Sequence, residues 1–130
     1  MNTFIIFIAS LTVVYCDVGI PGGITQVDPN NQSNLDTIYS GLSTINGLMN
    51  GPNYLVPVKV LSATTQVVAG TIQAWTVLMA PTSCSKEENF VRELCQPIDD
   101  AIPTLYKISY YQRPWENFSH WTVEVVTIDA

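Results

Sequence analysis

Hydrophobic positions fall into two periods along this chain, and the change between them divides it. From Ser33 the residues Leu35, Ile38, Tyr39, Leu42, Ile45 and Met49 recur at steps of three and four, one apolar stripe of an amphipathic helix. Ser33 and Asp36 have the spacing of a capping box, with Asp in place of Glu, and predict the helix start. Asn50-Gly51-Pro52 predicts its end, because glycine suits a left-handed exit and proline cannot continue a helix.

Beyond Pro52 the period shortens to two. Val56, Val58 and Val60 alternate with Pro57, Lys59 and Leu61 in a run reaching about Thr65. A second β-branched and aromatic run extends from Thr71 through Trp75 and Met79 to Pro81. Two more follow, Leu105 to Tyr111 and Trp121 to Ile128, on either side of Pro114-Trp115. Between the pairs, residues 82 to 103 are polar and irregular, with room for a turn of helix around Glu87 to Leu94. Ahead of the helix, Asp17 to Pro29 is rich in glycine and proline and reads as an extended, mobile arm. One helix followed by strands in hairpins predicts an α+β fold, a long helix wrapped by an antiparallel sheet of four to five strands.

The first sixteen residues are different in kind. Met1 to Cys16 carry no charge and contain the apolar stretch Phe4 to Ala9, extended by Leu11, Val13 and Val14. With Val14 and Cys16 at −3 and −1 of a cut before Asp17, this reads as a signal peptide at 1–16. As a membrane anchor it falls short of the roughly 20 residues a bilayer requires. Residues 17–130 then form one domain, expected to be secreted and free of the membrane once the leader is removed.

Charge and cysteines narrow the classes. The net charge is −6 and only five Lys and Arg residues are scattered along the chain, which argues against nucleic-acid binding. Cys16 leaves with the leader, so Cys84 and Cys95 remain as an even pair in an oxidising compartment, expected to close a short disulfide loop. Asn31-Gln32-Ser33 and Asn117-Phe118-Ser119 are candidate glycosylation sequons. The single histidine, His120, adjoins Trp121 in a strand-like run and has no supporting nucleophile motif. Glu87-Glu88 and Asp99-Asp100 read as solvated loop charge, and no metal-ligand spacing or cofactor motif is present. An enzyme is not indicated.

Gln66-Val67-Val68-Ala69-Gly70 lies between the first two strand runs and matches a Gln-x-Val-x-Gly signature. With Gly22-Gly23 ahead of it and Pro114-Trp115 behind it, the chain resembles the cystatins of the secreted type 2 kind, protein inhibitors of papain-like cysteine proteases. The resemblance covers essentially the whole chain after the leader. It implies a three-part wedge that fills a protease cleft of the cathepsin type without being cut in the normal way. The first hairpin tip would be Gln66, Val67, Val68, Ala69 and Gly70, the second Pro114 and Trp115. An arm bending at Gly22 would place Ile20 and Pro21 in the substrate-side pockets. Trp75 and Trp121, each inside a strand run, are expected in the core instead.

This chain departs from the family pattern in several places. Pro21 stands where a bulky apolar residue is usual and stiffens the arm. Arg113 puts a charge beside Pro114, and a glycan on Asn117 would crowd Trp115. The second family disulfide, expected near Tyr106 and Val126, is missing, so sheet pairing has to hold the last two strands. Some relatives also inhibit legumain through an asparagine after the helix. Asn50 is placed for that role, although Met49 and Gly51 do not match the usual neighbours and the helix exit explains it equally well. The alternative to an inhibitor is a secreted, non-inhibitory binding protein on the same fold. A monomer is expected, although family members can exchange strands through the first hairpin.

Overall fold

The computed structural model describes residues 23 to 127. Five strands form one antiparallel sheet in simple sequence order: β1 (Ile24–Val27), β2 (Asn53–Val68), β3 (Gly70–Ser85), β4 (Thr104–Arg113) and β5 (Phe118–Val125). The α+β expectation holds, with the helical segment packed on one face of the sheet.

That segment is two helices where one was expected. α1 (Gln32–Ser40) and α2 (Leu42–Gly47) meet at Gly41, whose backbone leaves the helical region at φ −109°, ψ 13°. At this break the indole of Trp121, from β5, occupies the space that a Cβ on residue 41 would need, so only glycine fits. The apolar stripe survives the break, since Ile38, Leu42, Ile45 and Met49 all reach the core. Nor is the helix start where the capping box put it. Asn31 caps α1, its side-chain oxygen accepting from the Ser33 amide at 3.0 Å, while Asp36 meets Arg92 at 3.3 Å. The exit comes earlier than Asn50-Gly51-Pro52: α2 ends at Gly47 with Leu48 as a right-handed cap, and Gly51, at φ +108°, instead turns the following loop into β2.

The arm also needs correction. Its last residues, Ile24 to Val27, add to the sheet as an edge strand, with Ile24 opposite Gln66 and Val27 opposite Ala63. Four residues with no buried side chain give too weak an alternation to be read as a strand; pairing along β2 supplies the order. β2 and β3 are longer than expected, at 16 residues each. Pro57 interrupts β2 where the register shifts between Pro57 and Lys59, which turns Val58 outward and breaks the simple Val56-Val58-Val60 alternation. β5 begins at Phe118, three residues earlier than Trp121, because a single tight turn after Arg113 brings the chain straight back.

Between sheet and helices lies the core, centred on Trp75, Val77, Met79 and Ile108 with Ile38, Leu42 and Ile45. The Trp75 indole N–H, buried away from water, donates to the Asn34 side chain at 3.1 Å. Trp121 lies flat between Trp75 and Tyr110, at centroid distances of 6.1 and 4.2 Å. Both tryptophans expected inside are therefore in or against the core.

At the start of β2 the polar contacts are dense. Buried Asn46 donates to the Leu42 and Leu55 carbonyls and accepts from the Leu55 amide, tying α2 to the sheet. Lys86 donates to the carbonyls of Asn46 and Met49, both at 2.9 Å, and satisfies the helix C-terminus. The irregular segment after β3 carries turns at Ser85 to Glu88, Val91 to Cys95 and Ile98 to Ala101, the second of them overlapping the end of the span expected to hold a turn of helix. Cys84 and Cys95 are joined, with Cα atoms 5.8 Å apart. Phe90 packs against Tyr39 and Tyr54, and the Arg92 guanidinium lies 3.8 Å from the Tyr39 ring centre. Burial pushes the Tyr39 hydroxyl above its ordinary pKa, and the charge of Arg92 opposes that shift. The last two strands have no disulfide between them; they are held by eight register pairs from Tyr106↔Val125 to Arg113↔Phe118.

Candidate functional site

The strand order brings three chain segments to one end of the sheet. β2 turns into β3 through Val68, Ala69 and Gly70, with Val68 paired to Gly70 and Ala69 exposed at the apex. Gly70 has φ +116°, a conformation costly for any residue with a side chain. Space forbids one too. A Cβ there would run into the Gln112 carbonyl and lie 2.8 Å from Arg113 Cγ and 3.1 Å from a Tyr111 ring carbon. Glycine at 70 thus serves both the turn and the close approach of β4.

Tyr111 completes that approach. Its hydroxyl donates to the Ala69 carbonyl at 2.7 Å, so the β4–β5 hairpin is fastened to the apex of the β2–β3 hairpin. Reading the sequence did not single Tyr111 out, because an aromatic residue in a strand run has no mark that separates a lock from ordinary packing.

The second tip is a one-turn 3-10 helix, Pro114–Glu116, closed by Asn117 in the left-handed region at φ 55°. The Asn117 amide donates to the Pro114 carbonyl at 3.0 Å. Proline at the first position presets the turn and needs no donor. Trp115 rides on it with 66% of its surface exposed, as expected for a tip residue and unlike Trp75 at 2%. Arg113 does not stand free at the rim. Its guanidinium carbon lies 4.3 Å from the Phe118 ring centre and 5.3 Å from that of Tyr111. Nε is 2.9 Å from a Glu116 carboxylate oxygen, a charge contact without hydrogen-bond alignment.

The third segment is the entry of the chain. Ile24, largely exposed, pairs with Gln66, so Gly23 lies at the end of the sheet that carries both tips. Gln66 is flanked by β1 on one side and Ile72 of β3 on the other. Ile20, Pro21 and Gly22 lie outside the described residues. Ile24, Val67 and Trp115 are all exposed at this end, beside the polar Glu116 and Asn117.

The other candidates are placed elsewhere or stand alone. Asn31 and Asn117 are exposed, the first at the start of α1 and the second beside Trp115. Asn50 is exposed on the turn before β2, at the end of the sheet away from the tips. His120 is exposed on β5 opposite Tyr111 and joins no nucleophile. Among the described residues, no group of three or more His, Cys, Asp or Glu side chains is placed to hold a metal ion, and no helix is long and apolar enough to cross a membrane.

A locked pair of apolar tips on a five-stranded sheet around a helix is the architecture of a protease-inhibitor family, and the comparisons agree. The sequence model of the cystatin domain matches residues 22–115. The chain is 31% identical to Cystatin cpi-1 of Caenorhabditis elegans across 95% of its own length and 92% of that protein. It is 32% identical to Cystatin-1 of the tick Ornithodoros moubata across 86% and 84% of the two chains. The crystal structure of a salivary cystatin from that tick superposes with a TM-score of 0.71 at 27% identity, over 83% of this chain and all of that one. The chain belongs to the cystatin family, whose members inhibit cysteine proteases.

Proposed function

We propose that the protein is a secreted, reversible, tight-binding inhibitor of papain-like cysteine proteases of the cathepsin type. In this reading residues 1–16 are removed as a leader and 17–130 form the inhibitor domain. Gln66 to Gly70, Pro114 and Trp115 enter the protease cleft together, with Ile20, Pro21 and Gly22 of the arm alongside. One observation carries the reading. An indole two-thirds exposed on a rigid proline turn sits beside a glycine-shaped apex, and the Tyr111–Ala69 hydrogen bond fastens the two.

Such an edge suits a narrow groove lined by a nucleophile. Its backbone is folded into turns and register pairs, so no extended peptide is offered for cleavage. Its exposed side chains are apolar and hold few rotamers, so little entropy is lost on docking. A buried anchor of the Trp115 type contributes about 2–4 kcal/mol in interfaces of this kind. No covalent step is required, and the inhibitor acts as a monomer. The disulfide and the leader pattern support secretion.

Two further readings have an observation each. Exposed Asn117, two residues from Trp115, supports a form in which a glycan blocks the second tip and the protein serves as a non-inhibitory ligand. Exposed Asn50 on the far turn supports a separate legumain-directed site.

The deciding experiment titrates active papain with the oxidised protein, followed with a fluorogenic substrate. Stoichiometric loss of activity at nanomolar concentrations is expected, with intact inhibitor recovered from the complex. Full activity at micromolar concentrations of folded monomer would overturn the proposal in favour of the non-inhibitory ligand.

A further inference from the structure

The sequence Asn-Gly occurs twice within six residues, at Asn46-Gly47 and at Asn50-Gly51. The pair is chemically special because glycine has no Cβ to shield its amide nitrogen. That nitrogen can attack the side-chain carbonyl carbon of the preceding asparagine. The new C–N bond closes a five-membered succinimide, and the asparagine's own side-chain nitrogen, Nδ2, leaves as ammonia. Water then opens the ring at either carbonyl, giving aspartate or isoaspartate. No oxidant, enzyme or cofactor takes part. The reaction does require an asparagine side chain free to swing over its own backbone and a following backbone free to accept a ring.

The two sites differ in both respects. Asn46 is 1% exposed, and its amide is held by three hydrogen bonds, two donated and one accepted, at 2.8 to 3.0 Å. Gly47 is fixed in the last turn of α2. Asn50 is exposed, with no hydrogen-bond partner for its side chain among the described residues. Gly51 follows it outside any helix or strand, at φ +108°.

We infer that Asn50 is a site of spontaneous deamidation in the folded protein, and that the fold protects Asn46 from the same reaction. The conversion adds one negative charge to an already acidic chain. It does so next to Met49, whose carbonyl, with that of Asn46, receives the Lys86 ammonium. An isoaspartate there also lengthens the backbone of the turn by one carbon between α2 and β2. Both changes fall at the end of the sheet away from the tips, so cleft binding is not altered. If Asn50 is read by an asparagine-specific protease, the conversion removes the group being read.

The test ages the oxidised, folded protein at neutral to mildly alkaline pH and physiological temperature, with a parallel sample in denaturant. Cleavage after Met49 separates the two sites, and mass and isoaspartate content are measured on each fragment. In the folded sample, Asn50 is expected to gain the one-dalton increment at least about tenfold faster than Asn46. In denaturant the two rates should converge. Equal rates in the folded protein, or no conversion at Asn50 while denatured Asn46 reacts, would overturn the inference. Asn50→Gln should abolish the folded-state signal without unfolding the chain. The readout is mass, not inhibition, so it stands or falls apart from the papain titration.

Discussion

The two ends of the sheet are fastened differently. At the tip end, Ile24, Val67 and Trp115 stand exposed and the internal fastening is light: one tyrosine hydroxyl, one charge pair and a glycine where nothing larger fits. The far end exposes apolar side chains too, Leu48, Leu94 and Ile102 among them, but its fastening is heavy. There Asn46, Lys86, Thr82 and the Cys84–Cys95 bond tie α2, β2, β3 and the following loop together. The difference teaches where order comes from. β2 and β3 run the length of the molecule, so strands fixed at the far end carry their register to the tips. Apolar side chains can then remain exposed without a hydrophobic cluster beneath them.

Substitutions at the two ends should separate binding from stability. The largest effect is expected from Trp115→Ala, which should weaken protease inhibition by about 2–4 kcal/mol, thirtyfold to a thousandfold. Its denaturant midpoint should stay within about 0.5 kcal/mol of the parent, since the indole is mostly exposed. An inhibition constant left unchanged in the papain assay would remove Trp115 from the binding edge.

Replacing both Cys84 and Cys95 by Ser should do the reverse. Loss of the loop closure, spanning 11 residues, costs about 3 kcal/mol in the chain-entropy account. Urea unfolding should report that loss, while the inhibition constant of the still-folded protein stays the same.

Gly70→Ala lies between the two. A left-handed backbone and contact with the Gln112 carbonyl together predict a loss of about 1–3 kcal/mol. Because the strain falls at the apex, inhibition should weaken as well, and a variant that loses neither would contradict the close approach of β4. Tyr111→Phe is the mildest. Removing its hydroxyl deletes one partly exposed hydrogen bond, about 1 kcal/mol or less. Faster amide exchange at residues 68 to 70, with little change in global stability, is the expected signature.

Much of this was legible in the sequence, and the parts that were not share a cause. The helical stripe, the hairpin pairs and the separation of Trp115 from Trp75 follow from local period and from proline placement. The close approach at Gly41 did not, since it is made by a tryptophan eighty residues away in the chain. Nor did the strand Ile24–Val27, which exists because β2 offers it an edge, or the Asn31 cap, which displaced a closer match to the capping pattern.

The sequence by itself determined the composition of the tips, the family and the spacing of the cysteines, because each is a property of residue type and order. Tertiary structure alone decided that Ala69 and Tyr111 touch, that Gly70 is hemmed in by β4, and that one Asn-Gly pair is locked while its neighbour is free. Those are contacts between distant residues or differences in burial, and they come into being only when the sheet closes over the helix and excludes water.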